Sequence, residues 1–402
     1  MSNATATPVV QCVELKWRLG PLWIATFLQG FALWVPVEKL FMSEIGFDAA
    51  TIGVMVAAYA ALVPLAEVAS GILADRWSRR GVLMLAGVAM LVSVSVAAMS
   101  HNVTTYILAA LLFGLYFAMY SGTIEAVVYD VVLEENGNGE AYEREIGRVR
   151  FVESVALVVS ALAGGWLASL FSTRATYLLT LPFVVFYLVA LSRFCEPRLH
   201  QVSERTSLRE HLTITYRAIT HRGRLVPIAA ASIMAAMILQ AMFEFGPLWL
   251  ITLEASAVYY GPFWALMVAT LGVGGLLAGR LRLDRPVPVA IVVLVMLASC
   301  LTLTSSRSLG ALTVAMVVLT FLLVVIGIHV SRLMHDAVPS TIRTGVVSGV
   351  GAVSWLVFTP FALVFGAVSK QFGVYVSGWM LTGAVALAGA ALVWARHRAP
   401  LR

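Results

Sequence analysis

Apolar residues run through this chain in long blocks, each closed by a few polar positions. A bilayer takes about 20 apolar residues per spanning helix. The strands of a membrane barrel would instead alternate in segments of about ten residues, and these blocks do not alternate. The pattern predicts an all-α integral membrane protein with twelve transmembrane helices, in two pseudo-symmetric six-helix bundles. The spans are expected at 20–42, 49–74, 81–99, 103–133, 148–171 and 174–194, then at 225–254, 258–280, 286–305, 309–333, 342–369 and 373–396. The domains follow as 1–194, a polar linker at 195–224, and 225–402. Composition agrees: 60% of the 402 residues are hydrophobic and 12% charged, against about a quarter charged in soluble domains.

Charge sets the orientation. Of the 27 Lys and Arg, 23 fall in the termini and one set of loops; only Lys39, Arg174, Arg307 and Lys370 fall in the other set. Positive loops stay in the cytoplasm. Both termini and the linker are therefore expected to be cytoplasmic, with the protein in the cell (plasma or inner) membrane. The net charge of +6 belongs to these loops and indicates no nucleic-acid partner. Residues 1–19 are polar and short, so no cleavable signal is expected. Within the linker, Ser203–His211 is expected as a polar surface helix or a solvated tether.

Two stretches recur in order. Gln29 precedes Pro36 by seven residues in span 1, and Gln240 precedes Pro247 by seven in span 7. Gly71-Ile72-Leu73-Ala74-Asp75-Arg76 returns as Gly275-Leu276-Leu277-Ala278-Gly279-Arg280. Parallel repeats of this kind build many secondary transporters. The hinge Gly71–Arg80 resembles the loop signature G-x-x-x-D-R-x-G-R-R of the major facilitator superfamily. Gly71, Asp75, Arg76, Arg79 and Arg80 match, and Ser78 stands at the second Gly. Ser121–Ala126 with Tyr129-Asp130 is similar to a pattern common in one set of these transporters, as is Glu67, four residues before Gly71. The resemblance implies a monomeric carrier whose hinge latches the cytoplasmic side. Arg79 and Arg80 reach for a carboxylate, and Asp130 is the expected partner. Asp75 is expected to accept amides at a helix N-terminus. The faded copy has Gly279 in place of Asp75, so its latch is expected to be weak.

Ionisable residues inside spans are functional hypotheses, because a charge in hydrocarbon is costly. Glu125 in span 4, with Arg150 and Glu153 in span 5, is expected to form one cluster, serving either proton carriage or the joining of two helices. Glu244 in span 7 shares a face with Gln240 and has the fewest Arg neighbours in sequence. It is the first expectation for proton coupling or for recognising a cation. Its counterpart in span 1 is Leu33, so the fold does not require the charge. Glu38 and Glu254 are expected to be solvated. His329, Arg332 and Asp336 share a region of span 10, with Arg332 and Asp336 able to pair.

Gln29 and Trp34 in span 1, and the aromatic residues beside Gln29, Glu244 and Tyr116, suit a cavity for lipophilic compounds. In span 5 the register of the exporter pattern G-x-x-x-G-P-x-x-G-G reads Ala156, Ser160, Ala161, Gly164, Gly165: small residues are kept, but the Pro is missing. The isolated Cys12, Cys195 and Cys300 offer no metal spacing, no catalytic constellation is visible, and no cofactor is implied. The reading is a secondary active transporter, not an enzyme. It takes a small-molecule substrate and protons as partners and performs proton-coupled export as an efflux antiporter. Proton-coupled uptake of a metabolite and a membrane receptor are the alternatives.

Overall fold

A computed structural model of the protein describes residues 8–137, 141–197, 225–281, 283–338 and 340–398. The expected helix at Ser203–His211 lies outside the described residues. Among the described residues every regular element is helical. Span 1 comprises α1 (Pro8–Gln29), a 3-10 turn (Val35–Val37) and α2 (Glu38–Glu44). Spans 2 to 6 are α3 (Ala49–Arg76), α4 (Arg79–Met99), α5 (Val103–Asn136), α6 (Tyr142–Leu170) and α7 (Thr173–Ser192). Span 7 is α8 (Leu225–Phe245) with α9 (Pro247–Thr252). Spans 8 to 12 are α10 (Ala257–Leu277), α11 (Pro286–Ser305), α12 (Leu309–Ala337), α13 (Ser340–Phe372) and α14 (Val374–Arg398).

Among the described residues eleven stretches are long and apolar enough to cross a membrane, and the divided span 1 brings the count to twelve. Span 1 is not the continuous helix expected at 20–42. It starts at Pro8 and unwinds after Gln29. Span 5 passes close at this point: a Cβ on Gly30 would lie 2.6 Å from the Ala156 Cβ and 3.1 Å from the Glu153 carbonyl oxygen. Pro36 then removes a backbone donor and restricts its own φ. The freed Leu33 N–H donates to Thr180 Oγ1 at 3.2 Å. Span 7 divides at the equivalent place, at Gly246 before Pro247, yet the Gly246 N–H still reaches the Met242 carbonyl at 3.0 Å. The two copies of Gln-x₆-Pro thus interrupt their helices to different degrees.

The chain packs as two compact units. One holds the residues up to Val35 and from Leu62 to the end of α7; the other holds Pro36–Ala61 and the helices from α8 onward. In the first, α4 lies along α5 and α7, and α1 lies against α5, α6 and α7. In the second, α11 lies along α12 and α14, and α8 lies against α12, α13 and α14. Spans 3 and 1 of the first unit therefore find the same neighbours as spans 9 and 7 of the second, as two copies of one plan require. Tyr116, Tyr177 and Tyr187 are fully buried in the first unit, and Trp249, Phe263, Phe358 and Phe365 in the second. Trp249 satisfies its buried indole by donating to the Leu303 carbonyl at 2.8 Å. In the second unit α3 and α13 touch backbone to backbone: a Cβ on Gly53 would lie 2.6 Å from the Ala362 carbonyl oxygen, and one on Gly366 2.6 Å from that of Ala49.

Candidate functional site

The hinge between α3 and α4 is built on a helix cap. Ser78 is extended and its hydroxyl accepts the Gly81 N–H at 2.8 Å, which starts α4 at Arg79. A Gly at this position would supply no such cap. The same hydroxyl donates to Glu196 at 2.6 Å, and Glu196 also accepts the N–H groups of Arg79 and Arg80. A carboxylate at a helix N-terminus satisfies orphan donors and opposes the helix dipole. Glu196 lies 118 positions from Ser78 in sequence; the side chain of Asp75, expected to accept amides at a helix N-terminus, lies outside the described residues. Arg79 donates to Asp130 and, at 2.9 Å, to the Ala126 carbonyl. Its guanidinium and the Asp130 carboxylate are 11% and 12% exposed, so the pair is largely withdrawn from water. Arg80 donates to the Ser192 carbonyl at 2.6 Å, and Arg76 is exposed at the end of α3. The structure thus gives the expected carboxylate to Arg79 and a backbone carbonyl to Arg80.

Beside the hinge lies a cavity of about 320 Å³, lined by Glu67, Gly71, Arg79, Ser121, Glu125 and Arg150 among others. Arg150 on α6 bridges two carboxylates, Glu125 on α5 at 2.8 Å and Glu153 one turn along at 3.1 Å. The cluster expected from sequence is therefore assembled. Glu67, which sequence reasoning marked only as part of a family pattern, joins it by accepting the Ser121 hydroxyl at 3.2 Å. Its signal was available: Glu67 is the one charge in the apolar run from Ala49 to Ala74. Glu125 and Glu153 share the Arg150 guanidinium, Glu67 is held by a hydroxyl, and Arg79 is engaged by Asp130.

Gln29 and Trp34 flank the unwound part of span 1 and belong to an aromatic group. Gln29 donates to the Tyr116 hydroxyl, while its carbonyl oxygen is buried without a partner among the described residues. Trp34 stacks on Tyr177 at 5.2 Å and meets the edge of Phe113 at 5.3 Å. Tyr116 in turn stacks on Tyr120 at 5.8 Å, and Tyr120 lies beside Glu153, so this group adjoins the carboxylate cluster.

In the second unit Glu244 is not the unpaired acid that its sequence neighbours indicated. Lys39 on α2 donates to Glu244 at 2.9 Å and to Glu38 at 2.8 Å, and only 4% of its side chain is exposed. This corrects the expectation of a solvated Glu38 and of Lys39 as a loop charge. The unwinding of span 1 turns α2 inward, and a buried ammonium needs carboxylates around it. Gln240 donates to the other oxygen of Glu244 at 3.3 Å. Glu254 is exposed, with a left-handed φ of 52°. Arg332 and Asp336 do not pair with each other among the described residues. At the start of α3, Asp48 accepts the Thr51 N–H at 2.8 Å and meets Lys370 at 2.8 Å. Lys370 and the Thr51 amide lower the Asp48 pKa to about 2.

The family model of the Major Facilitator Superfamily matches residues 22–355 of this sequence. The chain belongs to the major facilitator superfamily. It is a multi-pass membrane transporter and not an enzyme. Among solved structures, this superfamily member is similar to a mutant of the nucleoside transporter NupG, with TM-score 0.76 and 15% identity over 95% of this chain and 99% of that one. It is also similar to a bacterial homologue of the human lysosomal transporter Spinster, with TM-score 0.74 and 13% identity over 94% and 95% of the two chains. At such identities the likeness is one of fold. Among curated proteins it is 25% identical over 190 residues to the "Multi-drug resistance efflux pump PmrA" of Streptococcus pneumoniae, covering 45% of this chain and 46% of the pump. The match spans about half the length of that relative.

Proposed function

We propose that this transporter is a proton-coupled exporter of small lipophilic compounds, exchanging them for protons across the cell membrane. It works as a monomer with both termini in the cytoplasm, and its halves, 1–194 and 225–402, rock about a central site. One observation carries the reading: the cavity that holds Glu67, Glu125 and Arg150 beside the hinge, inside spans. Two carboxylates and two guanidinium groups line it, one of the latter, Arg79, being paired with Asp130, and Glu153 adds a third carboxylate. Excess negative charge at membrane depth is costly and calls for a neutralising proton. A proton taken up there from the outside and released to the cytoplasm would drive the exchange. The hinge shares this cavity through Arg79, so protonation next to it would bear on the Arg79–Asp130 latch. The apolar, aromatic interior and the similarity to a pump named for drug efflux support lipophilic cargo leaving the cell.

The test is a deletion strain grown across a compound panel, compared with uptake of labelled metabolites. Export predicts greater sensitivity to lipophilic compounds, restored by the intact gene, with metabolite uptake unchanged. Loss of uptake of one metabolite with unchanged sensitivity would overturn the reading.

A further inference from the structure

The second unit contains a cavity of about 380 Å³ between α8, α12 and α13 that the coupling groups do not use. Its size falls in the range of small-molecule sites. Its walls include Met237 and Met334, with Trp355 and Phe358 from α13. Trp355 is held edge-on by Tyr59 at 6.0 Å and by Phe358 at 6.3 Å, so its ring is fixed in direction. A Cβ built on Gly351, another wall residue, meets nothing within 4 Å, so the helix leaves room at this point. No lining residue carries a charge, which leaves nothing to compensate a buried cation.

The lining offers three serine hydroxyls, Ser232, Ser331 and Ser354, and the Gln240 amide, and the amide is the polar handle that a charged group behind the wall, Glu244, holds in one orientation. The amide nitrogen faces Glu244, and a carboxylate accepts only from a donor, so the assignment of nitrogen and oxygen is forced. Glu244 is itself held by the buried Lys39. The Gln240 side chain is thereby pinned with its nitrogen towards Glu244, and its carbonyl oxygen occupies the other edge of the amide. We propose that this cavity binds an uncharged aromatic compound carrying one hydrogen-bond donor. The Gln240 carbonyl accepts that donor, and Glu244 acts as the positioning residue that keeps the amide turned this way. The proposal deepens the export reading by naming its cargo class and rests on it for passage, though not for binding. It also replaces the expected role of Glu244 as the group that recognises a cation.

The experiment is equilibrium dialysis on the full chain in lipid nanodiscs at pH 7, with empty nanodiscs subtracted. The probes are 1-naphthol, 1-methoxynaphthalene and (1-naphthylmethyl)trimethylammonium. The wild type should bind 1-naphthol about fivefold more tightly than the methoxy compound, the worth of one neutral hydrogen bond. The cation should bind weakest. Gln240→Ala should bring the first two affinities together. Glu244→Gln should narrow the gap as well, because the amide then turns freely, and a merely structural role would leave that ratio unchanged. Gly351→Leu should abolish binding of both with no loss of thermal stability, since it fills open space. Equal affinities in the wild type, tightest binding of the cation, or full binding by Gly351→Leu would each overturn the proposal. The assay uses no gradient, so binding without export would sink only the export reading, and export without this binding only the present one.

Discussion

Lys39 shows how a single residue can carry more than its position in the sequence indicates. Its ammonium is buried between Glu38 and Glu244. Removing one member of a buried ion cluster leaves the others uncompensated, at a cost of about 3–5 kcal/mol. Lys39→Met is expected to lower stability by about that amount, and Glu244→Gln added to it to recover part of the loss. Thermal unfolding of the single and double variants checks this; simple additivity would show that the pair is not coupled. Asp48 makes a prediction about pH. Its folded pKa of about 2 lies below its unfolded value of 3.8, so its contribution is complete above pH 3.8 and is lost as the pH falls towards 2. The difference in thermal midpoint between wild type and Asp48→Asn should therefore shrink across that window. A difference that stays constant would argue against the Lys370 contact. Neither partner was legible in the sequence: Lys39 and Glu244 are 205 positions apart, and nothing local in the chain points from one to the other.

At the scale of elements, small residues set how closely helices approach. The α3–α13 crossing has Gly53 facing Gly366, with carbonyl oxygens 2.6 Å from either built Cβ. Backbone cannot give way as a flexible side chain does. Gly53→Val is expected to cost about 1–3 kcal/mol in unfolding experiments, while the same change at Gly272, where nothing lies within 4 Å, should cost far less. Equal losses would mean that the contact is not tight. Long apolar runs made the spans readable, but the unwinding at Gly30–Val37 was not. Gly and Pro are common in membrane helices, so Gly30 and Pro36 do not by themselves announce a break. The close approach of Ala156, which leaves no space for a side chain at residue 30, is likewise a contact that sequence spacing does not report. The Ser78 cap was visible as a departure from the family signature, but its partner Glu196 was not.

For the whole molecule, the repeats read from Gln-x₆-Pro and the hinge copies reappear as matching helix neighbours within each unit. The packing also divides the chain at Val35/Pro36 and Ala61/Leu62, which no composition shift marks. The charged groups are distributed unevenly. Glu67, Glu125, Arg150 and Glu153 gather next to the hinge in the first unit, while the second unit's acid is held by Lys39. Glu125, Arg150 and Glu153 were legible because charges within apolar runs are conspicuous and helical spacing joins two of them. Glu67 was equally conspicuous, but its place in the cluster depends on the crossing of α3 with α5, which sequence spacing does not report. In the proposed exchange, proton coupling would fall to the first unit. The most direct test is substrate-evoked proton flux in proteoliposomes, followed with a pH-sensitive dye and an uncharged lipophilic substrate. Flux should be present in the wild type, persist in Glu244→Gln, and fall to the rate of empty liposomes in Glu67→Gln and Glu125→Gln. Undiminished flux in both of these, with loss in Glu244→Gln, would contradict the account.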